Sequence, residues 1–323
     1  MQITFLGTSA GVPTKARNVS SVALRLPQRA EVWLFDCGEG TQHQLQHTPL
    51  KLSHITRIFI THLHGDHLFG LMGLLATCGL AGPAQEIHLY GPAGLADYVR
   101  MCGQISQMTL SNSLVIHTVE PGLIYRDAHF NVRCELLKHR ITAFGYRVTE
   151  SDRPGKFEVE KAIALGIPPG PLYGRLRSGE SVQLPDGRTI SGVDFSGPTE
   201  PGRSIVYCTD TIYCRNAIAL AEHANLLIHE ATFAAQDERL AEQSLHSTTT
   251  MAARVAQEAQ VRQLFLTHFS PRYVKDSPIQ PAELLEQARA IFPQTELARD
   301  FLIYEVPQRA RSSEAEAGSE PKH

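Results

Sequence analysis

The stretch that most restricts the fold is "THLHGDHLFG", residues 61–70, which places three histidines and an aspartate within six positions. It stands between the apolar runs "RIFI" and "LMGLLA", both expected to be buried. His62 and His64 alternate, so in an extended segment that leaves a strand their imidazoles project the same way. Asp66 and His67 follow a glycine that lets the loop turn back. The pattern favours a site for one or two zinc ions over a polar loop with incidental histidines.

The composition is that of an ordinary soluble globular chain, with 323 residues, 42% hydrophobic and 20% charged. We find neither a signal peptide nor a transmembrane stretch, and we expect a cytoplasmic protein with no membrane partner. The six cysteines form no CxxC pair, which is typical of buried thiols in a reducing compartment. A net charge of −3 gives no global sign of a polyanionic partner, so any nucleic-acid binding must come from a local patch.

Short β-rich runs such as "EVWLFD", "RIFIT" and "SIVYCTD" alternate with helical patterns such as "STTTMAARVAQEAQ". This alternation predicts an α/β layered fold with some antiparallel hairpins in the first half.

One segment departs from this pattern. Residues 166–188 hold five Gly and four Pro among 23 residues, which predicts a protruding arm or a long loop. Between an ordered insertion and a disordered linker we favour the ordered one, because "SVQLPDGRTISG" is typical of a hairpin with an Asp-Gly turn. We expect a single domain over 1–306 with an inserted region at 151–192, followed by a disordered tail at 307–323.

Three further polar residues end apolar strands far along the chain: His139 after "FNVRCELL", Asp210 after "SIVYC" and His268 after "RQLFLT". Each alone is an ordinary strand-end residue. Together with the first cluster they predict a binuclear metal site, because residues of such sites come from the ends of distant strands.

Motifs spread over about residues 3–275 resemble the short form of the ribonuclease Z family, within the metallo-β-lactamase fold superfamily. They include "FLGTSAGVPTKARNVSS", "DCGEGTQHQL", "THLHGDHLFGL", "CTDT", "HEATF", "HSTT" and "LTHFSPRY". The resemblance implies an αββα sandwich, two mixed β-sheets flanked by helices, with an inserted flexible arm. It also implies an endoribonuclease that removes 3′ trailers from precursor tRNA and leaves a 3′-hydroxyl on the tRNA and a 5′-phosphate on the trailer.

The resemblance assigns two zinc ions to the predicted ligands. One would be held by His62, His64 and His139, the other by Asp66, His67 and His268, and Asp210 would bridge them.

Two zinc ions about 3.5–4 Å apart generate a hydroxide near neutral pH and clamp a phosphoryl oxygen. Asp66 is the candidate to orient the water or accept its proton, and His246 is the candidate to protonate the leaving oxygen. By resemblance Glu230 orients or polarises His246, although a purely structural carboxylate is an equal alternative. Asp36, at a strand end before "CGEG", is expected to brace the metal loop.

Two segments are candidates for tRNA contact. Lys15 and Arg17 in "PTKARN" are phosphate contacts or ordinary surface charges, and by resemblance their loop lies near the tRNA 3′ end. The arm, with Arg175 and Arg177, would grip the tRNA elbow, a role that rests on resemblance because its charge excess is small. The resemblance also implies a homodimer in which the arm of one subunit presents tRNA to the other.

Two alternative functions remain open. One is another binuclear-zinc hydrolase of this fold that acts on small phosphodiesters, although such an enzyme needs neither the arm nor the "PTKARN" loop. The other is a zinc-stabilised RNA-binding protein without activity, which would be expected to have lost a ligand.

Overall fold

The computed structural model describes residues 1–80, 86–108, 114–153, 155–184, 186–273, 277 and 279–308. These residues form two compact units. The first combines Met1–Thr149 with Arg203–Pro307, and the second spans Glu150–Gly202. Most of the predicted C-terminal tail, 309–323, lies outside the described residues.

The strands follow one another along the chain as β1 (Gln2–Gly7), β2 (Ser21–Leu26), β3 (Glu31–Phe35), β4 (Ile55–Phe59), β5 (Ile87–Gly91), β6 (Leu114–Thr118), β7 (Gly122–Arg126), β8 (Phe130–Leu136), β9 (Phe144–Glu150), β10 (Ser181–Gln183), β11 (Thr189–Ser191), β12 (Ser204–Cys208), β13 (Leu226–Glu230), β14 (Leu264–Thr267), β15 (Thr295–Leu297) and β16 (Ile303–Glu305). The helices are α1 (Thr41–Gln46), α2 (Gly65–Leu68), α3 (Leu71–Leu80), α4 (Leu95–Ser106), α5 (Val159–Ala164), α6 (Pro171–Arg177), α7 (Arg215–Ala221), α8 (Glu238–Ser244), α9 (Thr249–Glu258) and α10 (Pro281–Arg289). Within the described part of the chain, no helix is both long and apolar enough to cross a membrane.

The first unit contains two seven-stranded sheets, and both are mixed. The first has the order β16-β1-β2-β3-β4-β5-β6; its pairs are antiparallel as far as β3 and parallel from β3 to β6. The second has the order β15-β14-β13-β12-β9-β8-β7, and its pairs from β12 to β15 are parallel. Parallel neighbours bring their carboxyl ends to the same sheet edge, which is where the predicted ligands stand.

Side chains that alternate along each strand explain how the two sheets pack. Trp33 and Phe35 point into the core between the sheets, whereas Leu34 between them packs with α1, α3 and α4 on the outside of the first sheet. Tyr207 likewise faces the inner core, and Val206 faces the helical layer of α7, α9 and α10. The predicted αββα sandwich with two mixed sheets is confirmed.

The second unit has a small core of its own. It contains α5, α6 and the antiparallel pair β10–β11, so the predicted hairpin is confirmed, although Pro185 in its turn lies outside the described residues. Gly192 is required at one close approach, since a Cβ there would lie 2.1 Å from the carbonyl oxygen of Leu176. A disordered linker is excluded for these residues, because the segment buries the side chains of Phe157, Ala162, Ile167, Leu176, Val182, Leu184 and Phe195.

Candidate metal centre

The predicted ligands meet where strands of both sheets end. The 61–67 loop leaves β4, whereas Asp210 and His268 follow β12 and β14. Asp210 and His268, as well as Asp36 after β3, have left-handed backbones with φ of 47°, 59° and 58°. Residues other than glycine rarely adopt this conformation, and it persists only where the surroundings hold it. The backbone of the site is therefore fixed by the fold.

The first ligand set comprises His62, His64, His139 and Asp210. Nδ1 of His64 lies 3.0 Å from Nε2 of His62 and 3.2 Å from Nε2 of His139. Oδ2 of Asp210 lies 3.4 Å from Nε2 of His62 and 3.8 Å from Nε2 of His139. Zinc lies about 2.0–2.1 Å from each nitrogen ligand. Four such ligands at the corners of a tetrahedron are therefore about 3.3 Å from one another. The spacing of this set suits a metal ion of that size.

The second set comprises Asp66, His67 and His268. The two Nε2 atoms are 3.3 Å apart, and Oδ2 of Asp66 lies 3.4 Å from that of His67 and 3.3 Å from that of His268. Oδ1 of Asp210 lies 3.1 Å from Nε2 of His67 and 3.2 Å from Nε2 of His268. Asp210 thus places one carboxylate oxygen against each set. Its Oδ1 atom is buried without a hydrogen-bond partner among the described residues, as expected of an atom whose natural neighbour is a cation.

The outward ring nitrogens of four histidines are also engaged, and this fixes the direction in which each imidazole points. The partners are the hydroxyl of Thr61 for His62 (3.0 Å), the carboxylate of Asp36 for His67 (2.7 Å), the carbonyl of Leu245 for His139 (3.1 Å) and the hydroxyl of Thr232 for His268 (2.9 Å). Of these partners only Asp36 is predicted from the sequence. Among the other partners, only Thr61 could be found from the sequence, because it directly precedes the first histidine of the motif.

Asp36 is completely buried beneath the metal loop. Its Oδ1 accepts hydrogen bonds from the backbone and hydroxyl of Thr61, at 2.8 and 2.9 Å, and its Oδ2 faces His67. The prediction that Asp36 braces the loop is confirmed.

For Asp66, His139 and His64, the surrounding groups favour the protonation state that binds a metal. Burial alone would raise the pKa of Asp66, but His67 and His268 bring it far below its usual range, so the carboxylate is ionised at neutral pH. Burial lowers the pKa of His139 to about 4, and burial together with His62 lowers that of His64. These two imidazoles are therefore neutral at pH 7, which is the form that ligates metals.

His246 lies between α8 and α9, beside the ligands. Its Nδ1 is 2.8 Å from Oε1 of Glu230, and its Nε2 is 3.9 Å from Oδ2 of Asp210. Burial alone would lower the pKa of His246, but the carboxylates of Glu230 and Asp210 raise it to about 9. Glu230 is fully buried and accepts hydrogen bonds from the backbones of Thr211 (2.8 Å) and Ser247 (3.0 Å).

A cleft of about 440 Å³ opens next to His64 and Asp66. The loop that carries "PTKARN" forms part of its wall, and the backbone N–H of Gly11 donates to Oδ2 of Asp66 at 2.8 Å. Lys15 is exposed on this loop. Arg17 instead turns inward, where its Nη1 donates to the hydroxyl of Thr8 and to a backbone carbonyl, both at 2.7 Å.

The two arginines predicted for the arm lie on α6 in the second unit, and both are exposed. Arg175 donates to Glu180 at 3.0 Å, whereas Arg177 has no ion pair with any other described residue.

Comparisons with known proteins agree with this geometry. The model of the beta-lactamase superfamily domain matches residues 32–269. Ribonuclease Z of Crocosphaera subtropica is 63% identical over 310 residues, which cover 96% of this chain and 99% of that protein. Ribonuclease Z of Microcystis aeruginosa is 64% identical over 308 residues, covering 95% and 97%.

Among solved structures, human tRNase Z, short form, is similar over 95% of this chain and 100% of that one, with 33% identity and a TM-score of 0.68. A beta-lactamase-type fold with a cluster of histidines and aspartates indicates a divalent-metal centre. Since fold, site and near full-length identity agree, the chain belongs to the ribonuclease Z family of metallo-β-lactamase-fold proteins.

Proposed function

We propose that the chain is a tRNA 3′-processing endoribonuclease. It hydrolyses the phosphodiester bond between a tRNA and its 3′ trailer and leaves a 3′-hydroxyl on the tRNA and a 5′-phosphate on the trailer. The observation that carries this proposal is the pair of ligand sets that share Asp210, in a chain about 63% identical to proteins named ribonuclease Z.

The metals proposed are two zinc ions. His62, His64 and His139 would hold one, Asp66, His67 and His268 would hold the other, and Asp210 would contact both. Imidazole and carboxylate ligands at these separations support zinc. Bound there, the pair would activate a water for attack and stabilise charge on the phosphoryl group.

Side chains of the protein accept and donate the protons of the reaction. Asp66 orients the attacking water and accepts its proton, since its Oδ2 lies among the ligands. A bond forms between the water oxygen and phosphorus, and the bond from phosphorus to the 3′-oxygen of the tRNA breaks. His246 gives its Nε2 proton to this leaving oxygen, and Glu230 keeps the imidazole oriented and protonated.

The substrate contacts proposed are Lys15, Arg175 and Arg177, and Arg17 is proposed to act only through the loop that it shares with Lys15. Lys15 is the best-supported of these contacts near the metal site, because its side chain is exposed on the loop that adjoins Asp66. Arg17 supports the same loop from inside. Arg175 and Arg177 carry exposed charge on α6, and we assign them to the tRNA body.

A homodimer is proposed as the working assembly. Leu80 at the end of α3 is 89% exposed, and Met101 and Ile105 on α4 are 53% and 77% exposed. α3 and α4 contact one another, and large apolar side chains exposed on neighbouring helices are candidates for a protein interface. The variant Ile105→Glu should shift the sedimentation coefficient from dimer to monomer, and an unchanged coefficient would argue against this interface.

The compartment proposed is the cytoplasm. All six cysteines lie in described residues and are free thiols, which suits a reducing environment.

The test of the activity is incubation of purified protein with a precursor tRNA that carries a 3′ trailer, with and without a chelator. We expect one cleavage, with a 3′-hydroxyl on the tRNA, that the chelator abolishes and added Zn²⁺ restores. Turnover of a small phosphodiester without cleavage of the precursor would instead support the small-substrate hydrolase. Metal binding without either activity would support the RNA-binding protein.

A further inference from the structure

Phe69 is an aromatic side chain exposed beside the metal ligands. It directly follows α2, the short helix that contains Asp66 and His67, and 63% of it is accessible to solvent. Its ring lies over Gly65, where an added Cβ would come within 2.4 Å of the ring atom Cε2. The ring therefore rests on the backbone of the ligand loop, and one side of it is open. Leaving a large apolar surface in water is unfavourable, so a ring held open in this place suggests a ligand.

This ring forms part of the wall of the 440 Å³ cleft, whose size falls in the range of about 300–1,000 Å³ that is usual for small-ligand sites. Val12, which is 56% exposed, and Pro13 also line the cleft. His64 and Asp66 line it as well, so that a group bound against Phe69 lies next to the metal ligands.

The charges of the cleft disfavour phosphate on this surface. Glu39 and Asp66 contribute carboxylates, and among the described residues that line the cleft there is no lysine or arginine. A neutral, planar group with a π-face fits such a surface better than an anion does. In a nucleic acid that group is the base.

We propose that Phe69 forms a nucleobase-stacking subsite, in which its open face stacks on the base of a nucleotide next to the scissile phosphate. This inference rests on the proposed endoribonuclease activity and adds a positioning contact to it. Single-stranded RNA ends have unstacked bases, and proteins commonly bind these on aromatic rings. The stack would position the phosphate at the metal ligands without reading the base edge, so it would tolerate different bases.

The test is a double-mutant cycle between the protein and the RNA. Wild type and the variant Phe69→Ala are assayed on precursor tRNA, and on the same precursor with an abasic nucleotide immediately 5′ or 3′ of the scissile phosphate. Base–aromatic stacking is worth about 1–3 kcal/mol, so Phe69→Ala should lower kcat/KM for the intact precursor roughly 5- to 150-fold. At one of the two positions, removal of the base should lower kcat/KM of wild type by a similar factor. The same removal should lower kcat/KM of Phe69→Ala little further.

Further variants separate stacking from folding. Phe69→Trp should retain most activity and Phe69→Leu should not, because only the indole keeps a π-face. On the precursor that lacks the stacked base, Phe69→Ala should cleave within about twofold of the wild-type rate, because the contact is then absent from both proteins. Leu123→Ala, which truncates an exposed apolar side chain on β7, is the matched control and should behave as wild type.

If the effects of Phe69→Ala and of base removal on kcat/KM are additive at both abasic positions, the subsite is refuted. A Phe69→Leu variant as active as wild type would refute it too. A change of oligomeric state in Phe69→Ala with full activity would overturn it in favour of a subunit contact. A wild-type protein that fails to cleave the intact precursor would refute the proposed function itself, which is a separate result.

Discussion

Nδ1 of His246 lies 2.8 Å from Oε1 of Glu230, a carboxylate with no exposed surface. The histidine itself keeps 16% of its side chain accessible, and its Nε2 is directed toward the ligands. Thr232 bonds the other oxygen of Glu230 at 2.6 Å and also contacts His268 at 2.9 Å. The proposed proton donor and a proposed metal ligand are thus held by one buried network, which fixes where the proton can be delivered.

The first prediction concerns this donor. His246→Ala should lower kcat for precursor tRNA about 10²- to 10⁴-fold, the usual contribution of general acid catalysis, with little change in KM. A substrate in which sulfur replaces the leaving 3′-oxygen needs no proton on departure, so it should restore most of the lost rate. Single-turnover kinetics on both substrates measure the ratio.

Glu230→Gln is the companion variant, because it keeps one accepting oxygen but removes the charge that keeps His246 protonated. It should lose less activity than His246→Ala, and the sulfur substrate should rescue it too. If the sulfur substrate gives no rescue in either variant, His246 is not the proton donor.

The second prediction concerns Asp210, whose two oxygens face different ligand sets. Asp210→Ala should lower kcat by more than about two orders of magnitude, because even partners of metal ligands cost 10- to 100-fold when removed. Bound metal, measured by mass spectrometry after dialysis, should fall below the wild-type content. Asp97→Ala removes an exposed helical carboxylate and is the control. Full activity with unchanged metal content in Asp210→Ala would contradict the bridging role.

The third prediction concerns Asp36, which contacts His67 without facing the metals. Asp36→Asn keeps the shape of the side chain but weakens its hold on Nδ1 of His67. We expect metal affinity to fall about 10- to 100-fold and activity to recover at high Zn²⁺ concentration. Titration of the apoprotein with Zn²⁺ measures the affinity. An unchanged affinity would mean that Thr61 alone positions the loop.

The sequence allows the candidate ligands to be grouped because His62, His139, Asp210 and His268 each follow an apolar strand. Such strands can be recognised because their side chains alternate between the two faces of the sheet. The carboxyl ends of parallel strands then meet at one edge of each sheet. The sequence does not reveal that Thr232 and the carbonyl of Leu245 orient His268 and His139. These contacts depend on how α8 and α9 pack, and no local pattern encodes that packing.

Composition reveals only part of the inserted unit. Its glycines and prolines suggest a protruding arm without packed layers, yet Ile167, Leu176 and Val182 lie between them and form a core. Phe69 cannot be singled out in the sequence either, because in "HLFG" it resembles one more buried apolar residue and only the fold exposes its ring.

The fourth prediction is that Lys15 and Arg17 have different roles, although both are basic residues of the same loop. Lys15→Ala should raise KM for precursor tRNA a few-fold, more strongly at low salt, and leave thermal stability unchanged. Arg17→Ala should lower the free energy of unfolding by about 1.5–3 kcal/mol, since it removes hydrogen bonds from a charged group to Thr8 and to the carbonyl of Ala298. Urea denaturation and steady-state kinetics on both variants are the measurements. Equal effects of the two substitutions would contradict the inward placement of Arg17.

The fifth prediction concerns pH and the turn between β7 and β8. Burial alone would raise the pKa of Asp127, but the hydroxyl of Tyr125, the guanidinium of Arg29 and the backbone amides of His129 and Phe130 bring it well below its usual range. A carboxylate with a lowered pKa in the folded state stabilises the protein above its unfolded pKa of about 3.9, and this contribution is lost as the pH falls further.

The stability of wild type should therefore fall more steeply than that of Asp127→Asn between about pH 5 and pH 2. Urea denaturation of both proteins at several pH values in this window gives the difference. Other carboxylates titrate in both proteins and cancel in that difference, so parallel curves would show that Asp127 is not held as an anion in this turn.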